Sequence, residues 1–308
     1  MAVAMYRAVL LARRNEQRNE KLIARRRKLD RHVVQEGAAQ EEQRQATYER
    51  ALVPFGDAFA RLKRVDLAKL APVDPAGHTT ADVELQEMQR LAVSAVGSLI
   101  GGGAAGAGIG TATYLAVGAF ATASTGTAIS GLSGAAASSA TLAWLGGGSL
   151  AAGGGGVAAG TMVLAAVVAV PALVVGGILL EWQGRSVRED QEKVAEELGE
   201  AESALVEARR TLSEVFQRSR EIRLVLKDLC VAMEERIPAF AALAADHDDY
   251  GAYDTRQRAQ VKEIFDLACR TVTVMGAPPA GDDGRVSELS GRVIADARAH
   301  LAELACAA

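Results

Sequence analysis

Apolar residues recur in steps of three and four along most of the chain, the period of an α-helix buried on one side. From residue 2 to about 35 the apolar positions are Val3, Tyr6, Leu10, Leu22, Leu29 and Val33, set among good helix formers, which predicts a long first helix. A second helical stretch is predicted over residues 38–70, with Pro54 bending or restarting it. Residues 71–80, which hold Pro72, Pro75 and Gly77, break the pattern. Thr79 or Thr80 then caps a new helix whose early acids, Asp82 and Glu84, favour the positive end of its dipole. After residue 186 the stripe is long: Val187, Val194, Leu198, Ala201, Leu205, Ala208, Leu212, Val215, Ser219, Ile222, Leu226, Leu229 and Met233. Such a heptad-like stripe needs a partner helix, and the helices of residues 2–70 are the nearest source. Pro238 is expected to end or kink this helix; further helices are predicted over about 253–275 and 286–306, separated by the Gly/Pro-rich residues 276–284.

Charge changes the picture most in the middle of the chain. Residues 91–180 contain no Asp, Glu, Lys, Arg or His, 90 in succession, where one membrane-spanning helix needs about 20. Two crossings fit, the best candidates being residues 91–120 and 157–180; the Ala/Ser/Thr/Gly-rich residues 121–156 between them would form a hairpin tip, a re-entrant segment or a helix packed in protein. Small residues recur every fourth position: Gly102, Gly106 and Gly110 in the first arm, Gly148, Ala152, Gly156 and Gly160 in the second. On a helix this spacing makes a smooth groove that lets another backbone approach, the basis for helix packing and oligomerisation in lipid. Trp144 and Trp182 are the candidate membrane-interface anchors. The first helix carries a cationic block, Arg13, Arg14, Arg18, Lys21, Arg25, Arg26, Arg27, Lys28 and Arg31, against Glu16, Glu20 and Asp30. It reads as a solvated helix face or as a patch drawn to anionic lipid headgroups. No aromatic residues interleave to stack bases, so nucleic acid is not an expected partner.

Residues 125–160, TGTAISGLSGAAASSATLAWLGGGSLAAGGGGVAAG, resemble a glycine-zipper segment of bacterial membrane-associated proteins. More loosely, the segment is similar to the apolar core of apolipoprotein L and of small interferon-inducible mitochondrial membrane proteins. Long helices around an apolar hairpin are similar in plan to the cytolysin A type of α-helical pore-forming toxin. These resemblances imply helical insertion into a membrane, oligomerisation and, for some relatives, permeabilisation.

The totals are consistent with this division. Over 308 residues, 49% are hydrophobic and 23% charged, yet only 4% are aromatic, 31 are glycine, and the net charge is -4. Any attraction to an anionic surface is therefore local. Cys230, Cys269 and Cys306 are odd in number and far apart, which suits a reducing compartment and neither a disulfide framework nor a zinc site. The N-terminal stretch has its positive charge after a short apolar run, the order of an amphipathic helix start and not of a secretory signal. Gly101–Gly106 satisfies G-x-G-x-x-G, but no strand precedes it and no acid follows before Glu181, so no nucleotide site is expected. His32, His78, His247 and His300 are scattered, and residues 246–249 read as a solvated acidic turn. Neither a cofactor nor catalytic machinery is expected. The reading is an all-α protein: charged helices over 1–90, an apolar glycine-zipper hairpin over 91–180, a long coiled-coil helix over 181–237 and a C-terminal helical segment over 238–308. It is expected to associate with a lipid bilayer with its bulk cytoplasmic, either permanently or from a form soluble before insertion, to form a homo-oligomer and a pore, and to offer its coiled coil to a protein partner; the alternatives are a non-permeabilising membrane-anchored coiled-coil scaffold and a soluble helical bundle with a buried hairpin.

Overall fold

The computed structural model describes residues 2–66, 70, 80–103, 187–281 and 284–307. The described residues form an all-α fold, with backbone bridges only at Lys63–Asp249 and Ala280–Val286. Helix α1 (Ala2–Thr47) continues through a π-helical turn (Tyr48–Leu52) into α2 (Val53–Phe59). Helix α3 spans Thr80–Gly103, α4 Val187–Asp246, α5 Thr255–Gly276 and α6 Glu288–Ala307.

The break at Pro54 has a local cause. Proline has no N–H to return to the preceding turn and its ring crowds the carbonyl four residues back, so the backbone widens to π geometry just before it and α2 restarts with proline in its first turn. Pro238 does not end the helix: α4 continues through it to Asp246. Met233, Ile237 and Phe240 on either side are buried, and this packing offsets the one hydrogen bond lost. The second helical stretch also ends earlier than its predicted limit at residue 70, because α2 stops at Phe59 and the chain turns to lay Lys63 against residues 248–250. There Lys63 N donates to the Asp248 carbonyl (2.7 Å), Tyr250 N donates to the Lys63 carbonyl (3.2 Å), and Arg64 adopts a left-handed conformation (φ 57°).

Two cores follow one another along α4. Leu198, Ala201, Leu205, Ala208, Leu212 and Val215 face Leu22, Leu29 and Val33 of α1 and form an arm. Cross-helix pairs rise together in number, Asn15 with Gln191, Arg18 with Glu202, Glu36 with Arg223 and Arg50 with Glu234, so α1 and α4 run parallel. Beyond Ile222 the seam opens into a head assembled from α2, α3, α5, α6 and the end of α4. Its centre is aromatic: Phe55, Phe59, Phe240 and Phe265 stand with ring centroids 5.4 to 6.0 Å apart. The start of α5 is fixed by a capping box, Asp254 accepting from Gln257 N while the Gln257 side chain accepts from Asp254 N.

Helix α3 ties the start of the uncharged stretch to this head. Ala92, Val96 and Leu99 are buried there, so the first residues of the expected hairpin arm are covered by protein. The approach depends on Gly56, since a Cβ at that position would stand 3.1 Å from Leu99 Cγ. Replacing Gly56 with valine should overpack the contact between α2 and α3 and lower stability by about 1–3 kcal/mol; a thermal melt no different from the parent would show that the glycine is dispensable.

Candidate functional site: a charge-polarised arm

The arm begins as a pair of amphipathic helices and becomes distinctive through what its outward faces carry. Of the nine cations predicted as a patch on α1, the structure leaves Arg13, Arg14, Lys21, Arg25, Arg27, Lys28 and Arg31 exposed. The other two are engaged. Arg18 forms a two-pronged pair with Glu202 (Nη2–Oε2 2.9 Å, Nε–Oε1 3.2 Å) and donates to the Ala195 carbonyl, while Arg26 lies 4.0 Å from Asp30 one turn along. The hydrogen bond from Arg18 holds the Glu202 carboxyl below its ordinary range.

On α4 the sign reverses, a feature not singled out from the sequence. Glu196, Glu197, Glu200, Glu207 and Glu214 are exposed. At 3.6 residues per turn, Glu196, Glu200, Glu207 and Glu214 share one side, opposite the buried Leu198, Leu205 and Leu212. Arg13, Arg27, Lys28 and Arg31 likewise lie on the side of α1 away from Leu22 and Leu29, with Lys21, Arg14 and Arg25 turning towards the flank. Residues 13–31 hold nine cations and three acids; residues 189–214 hold nine acids and three cations. Because Asn15 sits beside Gln191 and Arg18 beside Glu202, these two stretches occupy the same length of the arm. The outer faces are two helix diameters apart, about 20 Å, more than twice the roughly 8 Å screening length at physiological salt. Each face therefore presents its own sign to whatever approaches it.

A polar layer holds the arm in register where it meets the head. Arg223 Nη1 donates to Glu36 Oε2 (2.6 Å) and to Ser219 Oγ (3.2 Å), and Ser219 Oγ donates to Gln40 Oε1 (3.3 Å). Gln40, Glu41, Arg44 and Thr47 continue this buried line along α1. The hydrophobic pattern missed them because the seam keeps its three-four phase while its residues turn polar. A groove beside it, lined by Ala39, Glu42, Ala46, Arg220, Leu224 and Lys227, is open to solvent.

The head carries a second cluster of charges between α5 and α6. Arg270 pairs with Asp296, and Arg236 of α4 with Glu263 (2.6 Å). Burial pushes the Asp266 carboxyl up to about 6 against the pull of Lys262 and Arg270, and lowers His300, with Arg270 adding to that fall. Burial also raises the thiols of Cys230 and Cys269 and keeps them protonated. Among the described residues no group of three or more His, Cys, Asp or Glu is placed to hold a metal.

Gly102 falls in the last turn of α3. Gly106, Gly110, Trp144, Gly148, Ala152, Gly156, Gly160 and Trp182 lie outside the described residues. Among the described residues no helix is long and apolar enough to cross a membrane. No protein-family model, curated protein or solved structure matches the chain.

Two measurements test the electrostatics. Glu36→Ala strands the Arg223 guanidinium, which has a side-chain exposure of only 18%, and should cost about 2 kcal/mol, whereas Glu36→Leu with Arg223→Leu should recover most of it; equal melting of the two variants would refute the pairing. For Asp266 the folded pKa lies above the unfolded one, so the native state binds the proton more tightly and stability falls as pH rises from about 4 to 6, then levels. Asp266→Asn should remove that slope and stabilise the protein at pH 7 by roughly 1 kcal/mol, discounted for partial exposure; denaturant midpoints across this range would show it.

Proposed function

We propose that this is a membrane-active helical protein whose uncharged stretch, residues 91–180, enters and self-associates in a bilayer beyond the part of α3 packed in the head, opening a pore in the manner of a toxin or defence effector. The observation that carries the proposal is the run of 90 residues without a formal charge. Its aliphatic stretch Val163-Leu-Ala-Ala-Val-Val-Ala-Val170 suits a hydrocarbon interior.

The placement of its flanks supports this reading. Leu99 is held in the head against Gly56, and Gln191 is held near the far end of the arm against Asn15. About 40 residues of α1 and its continuation separate Asn15 from Gly56, roughly 60 Å at 1.5 Å per residue. Residues 104–186 join these two points, so any part of them that enters a bilayer is tethered to the head at one end and to the arm at the other. Two crossings use about 40 residues, and the remainder, at up to about 3.3 Å each, is ample for a 60 Å separation. Small residues at four-residue spacing, including Gly106 and Gly156, supply close helix contact once in lipid. The cationic face of α1 adds a short-range attraction to anionic headgroups.

A second reading, a non-permeabilising membrane anchor for a coiled-coil scaffold, shares the same residues. Full-length protein mixed with dye-loaded vesicles, anionic or neutral, separates them. Dye release that falls on Gly106→Leu or Gly156→Leu is the expected result. Flotation with vesicles without release assigns the anchor instead, and no association with either vesicle overturns both.

A further inference from the structure

We infer that copies of this chain associate side by side through their arms, the acidic outer face of α4 in one copy docking on the cationic outer face of α1 in the next. Three observations lead there. The faces are opposite in sign and similar in content, nine cations with three acids on residues 13–31 and nine acids with three cations on residues 189–214. Both are exposed at the residues that matter, Arg27, Lys28 and Arg31 with Lys21 at the flank on one and Glu196, Glu200, Glu207 and Glu214 on the other. And they stand at the same height on opposite sides of the arm, because α1 and α4 run parallel with Asn15 beside Gln191 and Arg18 beside Glu202.

The last point selects the partner. A neighbour of the same kind, set parallel and without axial shift, brings its acidic face level with the cationic face of the first, and its own cationic face is left for a third copy. The contact joins different patches, so it propagates head-to-tail around a ring or along a row, and rotation about an axis parallel to the arms closes it. An antiparallel neighbour would carry the heads to opposite ends; the parallel one places all heads at one end and every Val187 at the other. A chain whose arm were meant only for anionic lipid would gain nothing from an acidic stripe along the whole of the opposite side.

The contact concerns lipid-free protein and does not require the uncharged stretch to enter a bilayer, so it is tested separately from vesicle leakage. Sedimentation velocity of the full chain should show assemblies at low salt that dissociate at high salt, as exposed ion pairs are screened. Variant A carries Lys21, Arg27, Lys28 and Arg31 changed to Glu; variant B carries Glu196, Glu200, Glu207 and Glu214 changed to Lys. All eight positions are exposed, and helical circular dichroism checks that each variant folds. Each variant alone should associate roughly 30-fold more weakly than the parent, the size expected of four exposed pairs, and an equimolar mixture should regain assembly, since A is acidic on both faces and B basic on both. Assembly of either variant alone at parental strength, or a mixture no better than its components, would overturn the proposal and assign association to the uncharged stretch. A parent that stays monomeric at low salt, with anionic-vesicle binding lost in A, would overturn it in favour of a lipid-facing α1.

Discussion

Parallel pairing of α1 and α4 is the constraint on which the rest of the molecule turns. Antiparallel helices can be joined by a few residues, but a parallel pair requires the chain to travel back the length of the first helix before the second begins. Here α1 ends at the head and α4 starts near the free end of the arm. Residues 104–186 connect the head, where α3 ends, to the free end of the arm, where α4 begins. Their two attachment points differ in kind, an aromatic-centred core at one end and a two-helix seam at the other.

The difference between the cores is energetic as well as geometric. In the head, Phe55, Phe59, Phe240 and Phe265 are essentially fully buried, each contributing about 1.5–3 kcal/mol from burial. In the arm, Leu alternates with Ala on α4, and polar residues enter the seam at Asn15, Glu36 and Gln40. Buried polar positions of this kind do little for stability, but they penalise slippage, since a shift of one turn leaves Arg223 without Glu36 and Asn15 without Gln191. The head fixes the fold while the polar layer fixes the register of the arm, and the register in turn sets the two charged faces level with one another.

Much of this was legible in the sequence where a single helix carries the signal. The stripe from Leu198 to Met233 is the buried side of α4, its partner up to Val215 is the N-terminal helix, and Thr80 opens α3. What was not legible depends on tertiary context. Pro238 is a helix breaker by propensity, yet the packing of Ile237 and Phe240 carries α4 through it. The head draws on residues 48–65, Leu70, and residues 85–100, 222–253 and 261–304, so no one of these segments displays a complete core. The cationic block on α1 was visible as composition, and the acids of α4 were visible too, but their opposition across one arm exists only because the helices run parallel and in this register. Gly56 gives no pattern at all, for the contact that needs it comes from Leu99, far along the chain.

The unequal cores also decide how the molecule yields to force. Tension applied at Val187 acts at the free end of the seam, where, among the described residues, α1 holds α4 through Asn15 and Gln191. It loads the seam in peeling, so contacts such as Asn15 with Gln191 and Leu22 with its α4 neighbours fail a turn at a time and at low cost. Tension applied at the end of α3 must instead extract Leu99, Val96 and Ala92 together from beneath α2 and α5. A pull shared by both ends of residues 104–186 therefore unzips the arm from its tip and leaves the head intact.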